Sequence, residues 1–252
     1  VSPWNAIEQR YHDKRGLKLH RRLGCQLKIQ GDLVVDVPPE SQAHKQVIRK
    51  AASSRHIEVS PATKLYYVEV LEPDMHEPKG DLERLKIALL EQWNIDQVQA
   101  SLSLVKKLQS ILRKGEWSVT VAVNSIPNEN ISRIINVWPG YHDTSIYGLA
   151  IDLGSTTIAA HLTDLGSGKV VGSSGVMNPQ IRFGEDLMSR VSYAMMNADG
   201  AEAMTAEVRK AIDKLVVDLA ESASINKEYI LETVFVCNPV MHHLLLGIDP
   251  IE

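Results

Sequence analysis

A chain of 252 residues with 44% hydrophobic side chains has enough apolar material for one large domain or two ordinary ones, which excludes a wholly disordered chain. Its 27 basic side chains fall short of 31 acidic ones, a net charge of −4, so there is no electrostatic surplus to hold nucleic acid or an anionic membrane. Two distant cysteines, Cys25 and Cys237, with no secretory leader and no apolar run near the ~20 residues that span a bilayer, point to a reducing, cytoplasmic setting.

Residues 1–40 are short of core residues and rich in basic ones (Lys14, Arg15, Lys18, Arg21, Arg22). They close with the alternating run Asp32-Leu33-Val34-Val35-Asp36-Val37, a predicted strand stopped by Pro38-Pro39. Residues 41–60 read as a connector that begins as a short basic helix (His44, Lys45, Arg49, Lys50). The chain opens on Val1 and closes on Pro250-Ile251-Glu252 just after an apolar helical stretch, so both ends read as cuts in a longer protein.

Residues 61–143 read as a small α/β unit. Leu65-Tyr66-Tyr67-Val68-Glu69-Val70 is strand-like. Asp81 is suited to cap a helix on which Leu82, Leu85, Leu89 and Trp93 recur three and four apart. A second helix carries Leu104, Leu108, Ile111 and Leu112, with Arg113 and Lys114 at its negative end and Gly115 at its stop. Trp117, Val119, Val121 and Val123 then alternate with Ser118 and Thr120, which predicts a strand with one buried face.

In residues 144–252 the texture changes. Tyr147 to Ile151, Ile158 to Leu162 and Val170 to Val176 read as three successive antiparallel strands. A helix is predicted over 183–196, and a longer one with Met204, Val208, Ile212, Leu215 and Leu219 in register. Thr233 to Cys237 reads as a buried strand and Met241 to Leu246 as the start of a helix, an order β-β-β-α-α-β-α.

The chemistry-bearing segment is Asp152-Leu153-Gly154-Ser155-Thr156-Thr157, the turn between the first two of these strands. A magnesium polyphosphate needs closely approachable backbone N–H groups, hydroxyl donors and a carboxylate that reaches the metal, often through water. Gly154 clears the approach, Ser155, Thr156 and Thr157 supply donors, and Asp152 emerges at the end of an apolar strand. It is not a P-loop, because Gly-Lys-Ser/Thr is missing and the turn leads into a strand. Asp and Gly also belong to ordinary hairpins, so the string alone does not decide. His242-His243 offers no metal site by itself, since neighbours on a helix point about 100° apart, and Cys237 on its apolar strand reads as inert.

The turn resembles the first phosphate motif of the superfamily of actin, sugar kinases and acetate kinases. Asn178-Pro179-Gln180-Ile181-Arg182-Phe183-Gly184-Glu185-Asp186 and the run from Asn238-Pro239-Val240-Met241-His242-His243 to Ile248 narrow the likeness. They resemble signature stretches of the reductive activators of corrinoid-dependent enzymes. Asp74-Met75-His76 with Gly80-Asp81-Leu82-Glu83-Arg84-Leu85 resembles that family's linker, and Arg22-Leu23-Gly24-Cys25-Gln26 the tail of a plant-type ferredoxin. The implied fold class is α/β: a 2Fe-2S ferredoxin-like remnant (1–40), a connector (41–60), an α+β linker domain (61–143) and the first half of an actin-like, ribonuclease-H-like ATPase lobe (144–252).

What the resemblance implies is ATP-dependent reductive activation of corrinoid proteins, an electron passing from a 2Fe-2S cluster to Co(II). Cys25 would be one of four cluster ligands, Asp152 would position Mg²⁺, and Gly154, Ser155, Thr156 and Thr157 would hold ATP phosphates. The implied partner is a corrinoid protein of a methyltransferase system, with a homodimer as an open possibility. A sugar- or acetate-kinase-like phosphotransferase and a non-catalytic docking module are the two other readings of the same residues.

Overall fold

A computed structural model describes residues 2–16, 21–24, 26–32, 58–126 and 130–251. The chain divides into two compact units, Val1–Gln46 and Val47–Glu252. Most of the predicted strand at 32–37, most of the connector and Cys25 lie outside the described residues.

The first unit holds a helix that the apolar pattern does not predict, α1 (Ala6–Arg15). It is started by a capping box: the Asn5 side chain accepts from the Ile7 and Glu8 N–H groups, and Glu8 accepts from the Asn5 N–H. Gly16 ends it in the left-handed region, φ 71°. The Glu8 side chain is buried against Arg22 at 2.7 and 2.8 Å and accepts from the Leu23 N–H. The Arg22 guanidinium draws its carboxyl down to about 2, against the opposing effect of burial.

The second unit opens with a four-stranded sheet, β1 (Thr63–Glu69), β2 (Val98–Ala100), β3 (Ser118–Asn124) and β4 (Ser132–Pro139), in the order β1-β3-β4-β2. Helices α2 (Asp81–Trp93) and α3 (Leu102–Lys114) place Leu85, Leu89, Leu104, Leu108 and Leu112 against Val68, Val119, Val121 and Val123 in one core. Three details depart from expectation. Strands β2 and β4 join the predicted elements. Gly80 holds the cap position of α2 without a side-chain bond, and Asp81 instead pairs with Arg84. Finally, β3 is buried on both faces, because it is central in the sheet and the Thr120 hydroxyl on its second face is taken up by the Gly140 carbonyl and the His142 N–H.

The second sheet runs β7-β6-β5-β8, from β5 (Tyr147–Leu153), β6 (Thr157–Asp164), β7 (Val170–Met177) and β8 (Ile230–Cys237). The first three strands are antiparallel in succession, as expected, and β8 runs parallel to β5. Leu149, Ile151 and Leu153 meet Val208, Ile212, Leu215 and Leu219 of α5 (Gly200–Ser222). The helix predicted over 183–196 is in fact a 3-10 turn, Pro179–Phe183, then α4 (Leu187–Met196). Gly184 is extended between them and the Asp186 carboxylate caps the Ser189 N–H, so the pattern restarts. Among the described residues the strand expected to be buried, β8, lies at the edge of its sheet: Val234 and Val236 are 53% and 67% exposed. Its apolar run reads as buried because composition cannot tell a central strand from an edge. Helix α6 (Pro239–Leu246) follows it. Among the described residues no helix is long and apolar enough to cross a membrane.

Candidate functional site

The segment Gly154-Ser155-Thr156 is the bend between antiparallel β5 and β6, with Leu153 opposite Ile158. Thr156 is exposed, and Asp152, Gly154, Ser155 and Thr157 are half-buried, so the bend reaches the surface. Side chains alternate along a strand. Because Leu149, Ile151 and Leu153 face α5, Asp152 stands on the opposite face, one residue before the end of β5. The bend closes through the Gly154 N–H on the Thr157 carbonyl at 2.9 Å. A Cβ at Gly154 would lie 2.8 Å from that same carbonyl oxygen, so only glycine fits without displacement. The structure thus brings five predicted residues to one end of one sheet.

What orients this bend is a set of buried polar groups beneath it, whose roles the sequence reading missed. Asn178 Nδ2 donates to the Gly154 carbonyl at 2.9 Å, and the Asn178 backbone N–H donates to the Thr156 carbonyl at 2.9 Å. Arg190 Nη2 donates to the Ser155 carbonyl. Three successive carbonyls are therefore drawn to the protein side. In a trans peptide the C=O of one residue and the N–H of the next point opposite ways. Fixing the Gly154 and Ser155 carbonyls inward turns the Ser155 and Thr156 N–H groups outward. No acceptor for either is found among the described residues. Adjacent outward N–H groups in a bend form an anion-binding concavity.

Asn178, Gln180 and Arg190 are all fully buried. Asn178 caps the 3-10 turn by accepting from the Gln180 N–H, and Gln180 Nε2 donates to the Met204 carbonyl, both at 2.9 Å. Arg190 spends its other donors on the Gly184 carbonyl (3.0 Å), Gln180 Oε1 (3.3 Å) and Met241 Sδ (3.2 Å). Two Asn-Pro caps bracket the bend. Asn178 follows β7, whose Met177 pairs with Thr157, and Asn238 follows β8, whose Cys237 pairs with Leu153. The bend, both caps and the carboxyl ends of the parallel pair β5 and β8 lie together, the usual place for a ligand in an α/β sheet. A readable signal existed: Asn followed by Pro is a cap with Pro at the first helical position, and it occurs after both strands.

The other candidates are placed differently. Cys25 lies outside the described residues. A 2Fe-2S centre takes four thiolates, and this sequence has two cysteines, so its own residues do not furnish the cluster. Cys237 is half-buried, and burial pushes its thiol up, as suits an unreactive group. His242 is exposed, and His243 meets the Asp249 carbonyl at 3.2 Å. A cleft of about 920 Å³ beside the first sheet, bordered by Glu69, Glu72, Glu91 and Trp117, includes no residue of the bend.

Comparison with known proteins sharpens the picture. Residues 52–144 match the RACo linker region and residues 147–252 the RACo middle region. The chain is similar to the corrinoid activation enzyme RamQ of Eubacterium limosum, 31% identical over 120 residues, which is 47% of this chain and 20% of that protein. It is also similar to a solved reductive activator for a corrinoid, iron-sulfur protein, with a TM-score of 0.67 and 34% identity over 79% of this chain and 31% of the other. The chain thus spans about a fifth of the curated relative and under a third of the solved one.

Proposed function

Through its linker and middle regions the chain belongs to the RACo family, and on that premise we propose that it is the linker and part of the ATPase body of a reductive activator of corrinoid proteins. The observation that carries the nucleotide half is the inward pinning of the Gly154 and Ser155 carbonyls, which leaves two adjacent N–H groups facing outward beside Asp152. At this site the Ser155 and Thr156 N–H groups would hold phosphate oxygens, with the hydroxyls of Ser155, Thr156 and Thr157 beside them. Asp152 would orient the magnesium ion, directly or through water.

Nucleotide turnover would then move the body relative to what it carries, and the linker sheet would transmit that movement. Support for a mechanical path comes from the junction of the two sheets in the second unit. Thr63 Oγ1 of β1 donates to Glu232 Oε2 of β8 at 2.9 Å, and the Trp138, His142 and Tyr229 rings cluster, the first two stacked at 4.8 Å. Strand β8 is hydrogen-bonded to β5, which carries Asp152. The electron-carrying half of the activity, with Cys25 as one cluster ligand, rests on thiolates beyond the two in this sequence. The match of residues 52–144 to the linker favours this reading over a sugar or acetate kinase.

The test uses the intact protein with a chemical reductant and a corrinoid protein held as Co(II). Loss of the Co(II) absorption is followed with Mg-ATP, without it, and with Asp152→Ala. Reduction that needs Mg-ATP and fails in the variant is the expected result. Reduction at equal rate and extent without nucleotide would overturn the proposal.

A further inference from the structure

Resting on the nucleotide reading above, the geometry points to Arg190 as the positioning residue of the bend: its guanidinium pins the Ser155 carbonyl inward, presents the Thr156 N–H outward, and sets a buried positive charge behind the segment that receives phosphate.

A guanidinium is taken out of water at a large penalty unless its donors are satisfied and a countercharge is near. Arg190 is fully buried, and four of its contacts are identified: three oxygens of neutral groups and one thioether sulfur, a weak acceptor. Among the described residues no carboxylate lies within ion-pair distance of it. Asp186, which caps the Ser189 N–H, acts on it from beyond ion-pair distance. Among the described residues the hydrogen-bonding is thus largely built and a close countercharge is not. A polyphosphate on the outer side of the same peptide units supplies it.

The surrounding backbone is shaped to this guanidinium. Gly184 brings its carbonyl to Arg190 Nε, and a Cβ there would stand 2.7 Å from the Ser189 Cβ and 2.8 Å from the Arg190 backbone nitrogen. Only a planar fork of donors reaches Gly184, Gln180 and Ser155 together; the single ammonium of a lysine does not. Through Met241 the same side chain also fixes the first turn of α6, the second bracket of the bend.

The experiment titrates Mg-ATP, inorganic phosphate and tripolyphosphate into the intact protein as wild type, Arg190→Met and Arg190→Lys, with thermal unfolding of each ligand-free protein alongside. In the wild type, affinity should rise steeply from phosphate to tripolyphosphate. Arg190→Met should lose about tenfold or more of the tripolyphosphate and Mg-ATP affinity, about 1.4 kcal/mol, and flatten the dependence on ligand charge. Arg190→Lys should bind more weakly than wild type yet keep the steep dependence. A role confined to packing predicts instead that both variants lose affinity for all three ligands equally, in step with their loss of thermal stability, and that result overturns the inference. So does wild-type affinity in Arg190→Met; should that variant not fold, wild-type affinity in Arg190→Lys decides likewise. A wild type that binds no Mg-ATP overturns the nucleotide reading itself and this inference with it, whereas a wild type that binds beside indifferent variants overturns this inference alone.

Discussion

Among the described residues each sheet of the second unit buries one arginine, and the two are housed differently. Arg84, under the first sheet, donates to the Asp81 carboxylate and the Lys79 carbonyl and lies 5.6 Å over the Trp117 ring. Arg190, under the second, has neutral oxygens and a thioether around it and no paired carboxylate. Arg84 has its countercharge at hand, although its Nε finds no acceptor among the described residues. Arg190 has its donors placed but its charge answered only from a distance, by Asp186, which leaves it open to a further anion. The same contrast runs through the cores: apolar contacts explain the first sheet, whereas a connected set of buried polar groups lies under a single bend of the second.

The strongest way to break this contrast is to damage the first core and read the second site. Leu108 is 1% exposed in the first core, so Leu108→Ala should cost about 2–5 kcal/mol of stability. Thermal unfolding measures that loss, while Mg-ATP affinity at a temperature where the protein is folded should stay within about twofold, below the ~1.4 kcal/mol that makes a factor of ten. A collapse of affinity without unfolding would mean that the two regions are not separable.

Asn178→Ala makes the complementary change. It frees the buried Gly154 carbonyl and the Gln180 N–H, a cost of about 1–3 kcal/mol. Unlike the leucine change, it should weaken nucleotide binding in titrations at full folding. Equal nucleotide affinity would show that the bend keeps its shape without its support.

The smallest effect is a pH dependence. The Ser189 N–H bonded to Asp186 holds that carboxyl below its ordinary value of 3.8. A lowered carboxyl stabilises the fold at pH above that ordinary value, and the contribution is lost as the pH falls through the lower folded value. The protection of the amides at the start of α4, measured against their intrinsic exchange rate at each pH, should therefore fall below about pH 3.8, and Asp186→Asn should remove that step. An unchanged step in the variant would assign it elsewhere.

The parts of this architecture that were legible in the sequence are those with strong periodicity. Leu85 and Leu89, then Leu104, Leu108 and Leu112, marked α2 and α3, and the apolar runs of β5 and β6 around Asp152 and Gly154 marked the bend. Strand β4 was not legible because Ile134 and Val137 are buried three apart, across an irregular register. Helix α1 has almost no apolar face, so only its capping box, Asn5 with Glu8, could have announced it. Arg190 was hidden for a related reason: with Leu187 and Ala194 it shares one face of α4, where a charged residue is ordinarily read as solvent-exposed. Its partners arrive from the 3-10 turn, the bend and α6, contacts that spacing along one helix does not encode.

Hydrogen–deuterium exchange of the intact protein, with and without Mg-ATP, reads the bend most directly. The account predicts slowed exchange centred on the amides of Ser155 and Thr156, dependent on magnesium and lost in Asp152→Ala. Saturable Mg-ATP binding that leaves those amides exchanging at their ligand-free rate would contradict it.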